Sequence, residues 1–574
     1  MSAEVMPASG PASGSGPPSS ALSALLARAT RDPNAIWMRE MRQAARLGRT
    51  PWILFSLTVT ISLLMCAIGG IAASADSSPA TLGRTLFQVF FSIAYFVVTV
   101  VGPAIAANSI ASEREGRTWE AVLLTGLSPK DITRGKFLAA FTTICLYIVV
   151  LAPVGALSFL FGGVTATEVI VAFAFLFMLA GLAVAFGLAV SSLMSSLRGA
   201  IVVTLMLAVV MAPTLHLFFG FGCSVAIHSL WPAVPEGYPI WLPLAYTRAP
   251  FGLEYVTILF VLPMLLVAIP AWFLYEVTIA NLSGEADDRS SGLKRWFAVS
   301  TPILALACAA PSPMAVDDEP RMILSLFGMG AFSLFLGFSA MLFAFEPMGA
   351  SRRVRIHWDR EGASRWRRFF GPGLGSTSLL VALLGAAGIT AIALIDVAFI
   401  RKLSVGPMAY PASFVEQVFL FAAYLAPFFV FVVGLTTWLR ARNQTPWVAR
   451  LITLAILFLI AAGPWVVAAI GGVMSKSYGG DWVVVAAPSP FYVFAMLRYV
   501  DRTSSPSTII PAGLGCAALW GLLGMALLSA SWRRSRRLVA AYDASVAQAD
   551  AALRAEDDVV RAPTPTHASS GTAG

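Results

Sequence analysis

The chain has 574 residues, of which 58% are hydrophobic and 12% charged, with a mean hydropathy of +0.78. A soluble domain carries about twice that charge fraction, so a water-soluble enzyme is excluded and a polytopic membrane protein is indicated. The net charge of +9 does not point to nucleic acid, because in such a chain the placement of Lys and Arg between spans is what carries meaning. Cys66, Cys145, Cys223, Cys308 and Cys516 are scattered through apolar sequence without ligand spacing, so neither a disulfide framework nor a metal site is predicted.

Residues 1–30 are expected to form a disordered cytoplasmic tail. Their first 21 residues, rich in Ala, Ser, Pro and Gly, have no basic start and no apolar core, so no cleavable signal is predicted. The first ordered piece, 31–50, reads as an amphipathic helix. Arg39, Arg42, Arg46 and Arg49 fall at helical spacing on one face, with Trp37, Met41, Ala44 and Ala45 on the other. A basic face opposite an aromatic-bearing apolar face suits an interfacial anchor on membrane lipid.

Runs of about 20 apolar residues cross a bilayer as helices, because an unsatisfied backbone amide is too costly in hydrocarbon. Six such spans are predicted at Trp52–Ala73, Leu86–Ala107, Phe137–Phe161, Val169–Val190, Ala200–Phe221 and Val256–Val277. Six more follow at Phe297–Val316, Met322–Phe345, Ser378–Ile400, Val418–Leu439, Leu451–Val473 and Ile510–Trp532. The seventh is the weakest, holding Pro302, Pro311 and Pro313.

Between the second and third spans lies the densest polar patch, Ser112 to Lys136. Ser112 and Glu115 have capping-box spacing, predicting a helix start there. Trp119, Val122, Leu123 and Leu127 would form a one-sided apolar stripe, with Gly126 as the stop. Ser128, Pro129 and Asp131 supply an N-cap, a first-turn proline and an acid for the next helix. The segment is expected to be a helix along the membrane surface, a tight turn and a helix entering the bilayer.

Glu113-Arg114-Glu115, Thr118-Trp119-Glu120, Leu123-Leu124, Leu127-Ser128 and Ile132 with Gly135-Lys136 resemble the cytoplasmic signature of type-2 ABC exporter permeases. The chain departs from that pattern where Gly116 precedes Arg117, since the family usually sets the glycine beside the threonine. The resemblance implies a coupling helix at about 112–127 that contacts the ATPase subunit, with Glu113, Arg114, Glu115, Thr118, Trp119, Glu120, Leu123, Leu124, Leu127 and Lys136 as coupling residues. It also implies an integral multi-pass protein of a prokaryotic plasma (inner) membrane. Pro33-Asn34 and the following Arg39-Glu40-Met41-Arg42 are similar to the elbow helix that opens this family.

With both termini cytoplasmic, inner segments hold 29 of the 39 Lys and Arg and outer segments 8, a skew that favours this orientation. The fold class expected is therefore all-α polytopic, with about twelve transmembrane helices in two parallel six-helix repeats. The repeats would be 51–285 and 295–537, the second divergent, followed by a largely disordered tail at 538–574. Gly187-Leu188 is echoed by Gly434-Leu435, and Glu113-Arg114-Glu115-Gly116 by Asp359-Arg360-Glu361-Gly362. The second inner loop lacks Thr-Trp-Glu and Gly-Lys, so it is either a divergent coupling element or a basic anchor. The outer segments 222–254 and 474–507, rich in Trp, Tyr and Pro, read equally as re-entrant half-helices or as aromatic belts.

No Walker A, HExxH, GxSxG or Cys/His cluster is present, and no catalytic, cofactor-binding or metal-binding residue is predicted. ATP is expected on a partner ATPase, not on this chain. Glu276, Glu346 and Asp396 fall at or near span ends, whereas an ion-coupled carrier usually sets carboxylates near the midplane. The reading is a permease subunit of an ATP-driven exporter. The alternatives are a secondary transporter and a non-transporting structural or regulatory subunit. The substrate is written in no motif.

Overall fold

The computed structural model describes residues 34–46, 48–74, 78–217, 220, 223–234, 243–284, 286–314, 318–403, 412–443, 445–474, 480–500 and 508–561. The predicted tail at 1–30, residues 562–574 and parts of both outer segments lie outside the described residues, as do the side chains of Arg49 and Leu123. The stretch 538–561, expected to be largely disordered, instead continues the last helix, its Ala-rich sequence favouring that state. Among the described residues every regular element is helical, and twelve helices are long and apolar enough to cross a membrane. The all-α, twelve-span reading of the sequence therefore holds.

The chain divides into two compact units, Met1–Ala212 and Pro213–Gly574. The first holds α1 (Ala35–Arg46), α2 (Arg49–Ser74), α3 (Pro79–Glu115), the short α4 (Trp119–Leu124), α5 (Pro129–Leu160), α6 (Ala166–Leu193) and nearly all of α7 (Leu197–Leu215). The second holds the short α8 (Cys223–Leu230) and α9 (Ala245–Arg248), then the spans α10 (Leu253–Leu282), α11 (Ser291–Ala309) and α12 (Asp318–Leu342). Its inner loop forms α13 (Arg352–Arg360) and α14 (Arg365–Phe370). The rest is α15 (Leu374–Leu403), α16 (Ala412–Arg442), α17 (Pro446–Met474), α18 (Gly480–Val483), α19 (Tyr492–Val500) and α20 (Ile509–Arg561). The compact units part inside the last turn of α7, whereas the sequence repeat was drawn near residue 290. The sixth span, α10, packs on the seventh, where the Trp296 indole donates to the Ile269 carbonyl at 3.0 Å.

Local chemistry explains several boundaries. Two π-helical stretches, Val97–Val101 in α3 and Val256–Val261 in α10, each lie just ahead of a proline, Pro103 and Pro263. Proline removes an amide and crowds the carbonyl four residues back, and one widened turn relieves both. Pro311 and Pro313 likewise end α11 at Ala309, leaving a single 3₁₀ turn at Ser312–Met314. The weakest predicted span thus begins and ends earlier than Phe297–Val316, yet at 24 residues it remains long enough to cross.

Packing inside each unit depends on close helix approach. A Cβ on Gly187 of α6 would lie 2.2 Å from the Pro103 carbonyl of α3, and one on Gly434 of α16 would lie 2.5 Å from the Gly524 carbonyl of α20. The echoed glycines thus do the same physical work in both units, letting two helix backbones meet. The buried Tyr95 hydroxyl donates to the Ala212 carbonyl (2.8 Å), closing α3 onto α7.

Candidate coupling segment

The helix start expected at Ser112 is not where the chain begins a helix. Ser112 lies inside α3, its carbonyl accepting from Gly116 N at 2.9 Å. Nothing between Pro103 and Gly116 interrupts helical hydrogen bonding, so the span simply runs on past its apolar part. It stops at Glu115, after which Arg117 adopts φ +56, a left-handed conformation that reverses the chain. Thr118 then opens α4, with Val122 N donating to its carbonyl at 3.3 Å. The far boundary is as the sequence indicates. Gly126 has φ +73, Ser128 Oγ accepts from Asp131 N at 3.2 Å, and Pro129 starts α5.

Glu113, Arg114 and Glu115 are each engaged by a different neighbour, Glu113 and Arg114 partly buried and Glu115 exposed. Glu113 is largely buried and takes two cations, Arg39 of α1 and Lys136 of α5, the latter at 2.9 Å. Lys136 is fully buried and also reaches Glu40 (3.1 Å) and the Ser109 carbonyl (2.9 Å). Arg114 donates to the carbonyls of Ser192 (2.8 Å) and Met194 (3.1 Å), capping the C-terminus of α6. Its guanidinium also lies 5.6 Å from the Trp119 ring centroid. Glu115 accepts from Leu197 N at 2.6 Å, an acid on the positive end of α7. The three consecutive residues therefore tie the root of α4 to α1, α5, α6 and α7.

Glu113 and Glu115 are thus not free rim charges, because the start of α7, the buried Lys136 and the exposed Arg39 already occupy them. Arg39 is likewise more than a lipid anchor. Burial works against its charge, but the carboxylates of Glu113 and Glu40 outweigh that and hold its pKa above the ordinary arginine value. Arg42 and Arg46 remain exposed.

Of the expected apolar face of α1, Trp37, Met41 and Ala44 are half-buried and Ala45 is exposed, and the contact with α5 is made chiefly by Asn34 and Ile36. Ile36 is buried, and a Cβ on Gly135 would fall 2.2 Å from Asn34 Oδ1 and 2.7 Å from Ile36 Cβ. Asn34 caps α1 through Oδ1 and donates from Nδ2 to the Asp131 carbonyl at 2.8 Å. The Gly135-Lys136 pair gains a physical meaning here: the glycine lets α1 lie against α5, and the lysine neutralises the acids this brings in. Asn34, Glu40, Ser192, Met194 and Leu197 were not singled out as members of this site. Only the bare glycine beside a lysine at a helix start hinted at a docked neighbour.

What α4 leaves outward is narrow. Val122 is buried, while Trp119 and Leu127 are half-buried. Arg117, Thr118 and Glu120 are exposed, and Leu124 is 87% exposed. Among the described side chains of α4 the large apolar one presented outward is Leu124, whereas the Trp119 ring lies under the Arg114 guanidinium. Among the described residues no group of His, Cys, Asp and Glu is arranged to hold a metal ion.

Twelve helices long and apolar enough to cross a membrane, with the short α4 between two of them, define an integral, multi-pass membrane protein. Residues 34–237 match the family described as ABC-2 family transporter protein, a stretch that opens on the Asn34 cap and contains the whole of the 112–136 segment. That stretch is similar to the ABC-2 type permeases, and the chain is an integral, multi-pass membrane protein. No curated protein matches the chain.

Proposed function

We propose that the chain is the permease subunit of an ATP-driven exporter, that ATP is bound and hydrolysed on a separate ATPase chain, and that α4 is where the two meet. The observation that carries this reading is the contrast along one short segment. Its root is fixed by Glu113, Arg114 and Glu115 to four helices, while its tip offers Leu124 to a partner. A push on α4 would be delivered to the ends of α5, α6 and α7 together, which is what coupling nucleotide-driven closure to rocking of the spans requires. The paired close-packing glycines support two permease halves within one chain. Asp396, fully buried and accepting from Ser325, lies two residues from the end of its candidate span. It therefore does not meet the midplane criterion for an ion-coupled carrier.

Replacing Leu124 by Asp tests the docking site. The side chain supports nothing within the fold, so the chain should insert and purify normally. Truncating an interface anchor costs about 2 kcal/mol or more, so ATPase association should weaken about thirtyfold or more. Undiminished co-purification of the ATPase with Leu124→Asp would remove α4 from the interface.

Both termini and α4 are proposed to be cytoplasmic, on the charge skew of the loops. In a background without the five native cysteines, Arg117→Cys and Arg365→Cys should resist an impermeant thiol reagent in intact cells. Phe251→Cys, at a site where the native side chain is 85% exposed, should react. Reaction at 117 with protection at 251 would invert the topology.

A further inference from the structure

The second unit carries an exposed feature that the coupling reading leaves unused. Between Phe345, the last residue of one candidate span, and Leu374, the first of the next, α13, α14 and the turn joining them hold seven arginines and two acids, Asp359 and Glu361. Their inner faces are fixed. Val354 and Trp358 are buried, Phe369 and Phe370 pack on the core of the unit, and the Phe370 carbonyl accepts from Ser291 Oγ at 3.1 Å.

Five of the seven arginines are already spoken for. Arg352 pairs with Asp550 and Arg355 with Asp543, both on the cytoplasmic-side extension of α20, and Arg353 pairs with Asp287. Arg367 pairs with Glu361 and Arg368 with Asp359. Arg360 and Arg365 are exposed and, among the described residues, face no carboxylate within ion-pair distance. Next to Arg365 in the chain, Trp366 is 76% exposed on α14, whose Phe369 and Phe370 are half-buried against the core of the unit. A large exposed indole, adjacent in the chain to the unneutralised Arg365, six residues after Arg360 and eight before the first residue of a span, calls for an occupant that is both apolar and anionic.

We propose that Trp366, Arg360 and Arg365 form a binding site for the headgroup of an anionic phospholipid of the adjoining leaflet. The indole sits at the headgroup level, where its apolar body and polar N–H are both satisfied. The guanidinium groups take the phosphate, which their planar forks match better than an ammonium would. The chemistry differs from that of α4, where an aliphatic tip beside Glu120 suits a protein surface. The second inner loop is thereby a lipid-held element, and the inference does not depend on which partner α4 engages.

The test is native mass spectrometry of the whole detergent-purified chain, titrated with phosphatidylglycerol or with phosphatidylcholine of the same acyl chains. Phosphatidylglycerol should be retained preferentially. The variant Arg360→Gln/Arg365→Gln/Trp366→Ala should lose about thirtyfold in that affinity, the scale expected for two juxtamembrane arginines. Arg365→Gln alone should lose severalfold and Arg365→Lys less, while Arg117→Gln should change nothing. All these side chains are exposed, and an unchanged melting temperature will show that the fold is kept. Equal retention of the two lipids, or full phosphatidylglycerol binding by the triple variant, would overturn the proposal. So would displacement of the lipid by soluble glycerol phosphate, which marks a site for the free anion. Loss of ATPase co-purification from the triple variant with lipid binding intact would make this face a protein-docking surface instead.

Discussion

Replacing Lys294 by Met should lower the melting temperature of the purified chain more than any other single change considered. Lys294 is fully buried at the start of α11 and pairs at 3.0 Å with Glu346, itself almost completely buried. The ammonium also donates to the Gly371 carbonyl, while Glu346 accepts from Gly373 N at 3.0 Å. The pair thus pins together the start of α11, the end of the eighth span and the turn that leads into α15. Methionine keeps the length of the side chain and removes its charge, stranding a carboxylate away from water. Breaking one side of such a pair costs about 3–5 kcal/mol. Replacing both partners, as in Lys294→Met/Glu346→Leu, removes the stranded charge and should restore much of the loss. A melting temperature unchanged by Lys294→Met would show that the pair is solvated and contributes little.

The second large effect is expected at Lys136. Its ammonium is shared by Glu40, Glu113 and the Ser109 carbonyl, so Lys136→Met affects three elements together. Glu113 keeps Arg39, which limits the damage on that side. Glu40 keeps only Arg39, at 3.3 Å, and the tie between α1 and α5 is weakened where Gly135 had allowed the two to touch. A loss of about 3 kcal/mol would raise the population with α1 undocked about a hundredfold. Limited trypsin digestion reads this directly, because Arg42 and Arg46 lie on the exposed face of α1. Faster cleavage there than in the unaltered chain is expected, and an equal rate would mean that packing alone holds α1.

The spans were legible because hydrocarbon leaves a chain few choices. Twenty apolar residues in a row must satisfy their own amides, and the helix is the only local way to do so. Ser128-Pro129 was legible for a related reason, since cap and proline act within one turn. The start at Ser112 was misread because a capping-box spacing also occurs inside helices, and only the absence of a breaker between Pro103 and Gly116 decides between the two. The engagement of Glu113, Arg114 and Glu115 could not be read from spacing, because Arg39, the end of α6 and the start of α7 lie 74 to 82 positions away in the chain. The exposure of Leu124 in preference to Trp119 depends on Arg114 reaching the indole, again a tertiary fact. Where the compact units divide was equally hidden, since it depends on which neighbour α10 packs against.

The length of α3 has a mechanical consequence. Its 37 helical residues span roughly 55 Å at the rise of an α-helix, against a hydrocarbon layer of about 30 Å. Since α4 follows directly from its end, the proposed docking helix lies at the tip of a long rod whose widened π turn and Pro103 lie near its middle. A tilt of about ten degrees over that length displaces the tip by roughly 10 Å, while residues near the pivot move by only a fraction of that. A modest rotation among the spans and a large stroke at the far end are then the same motion seen at two radii.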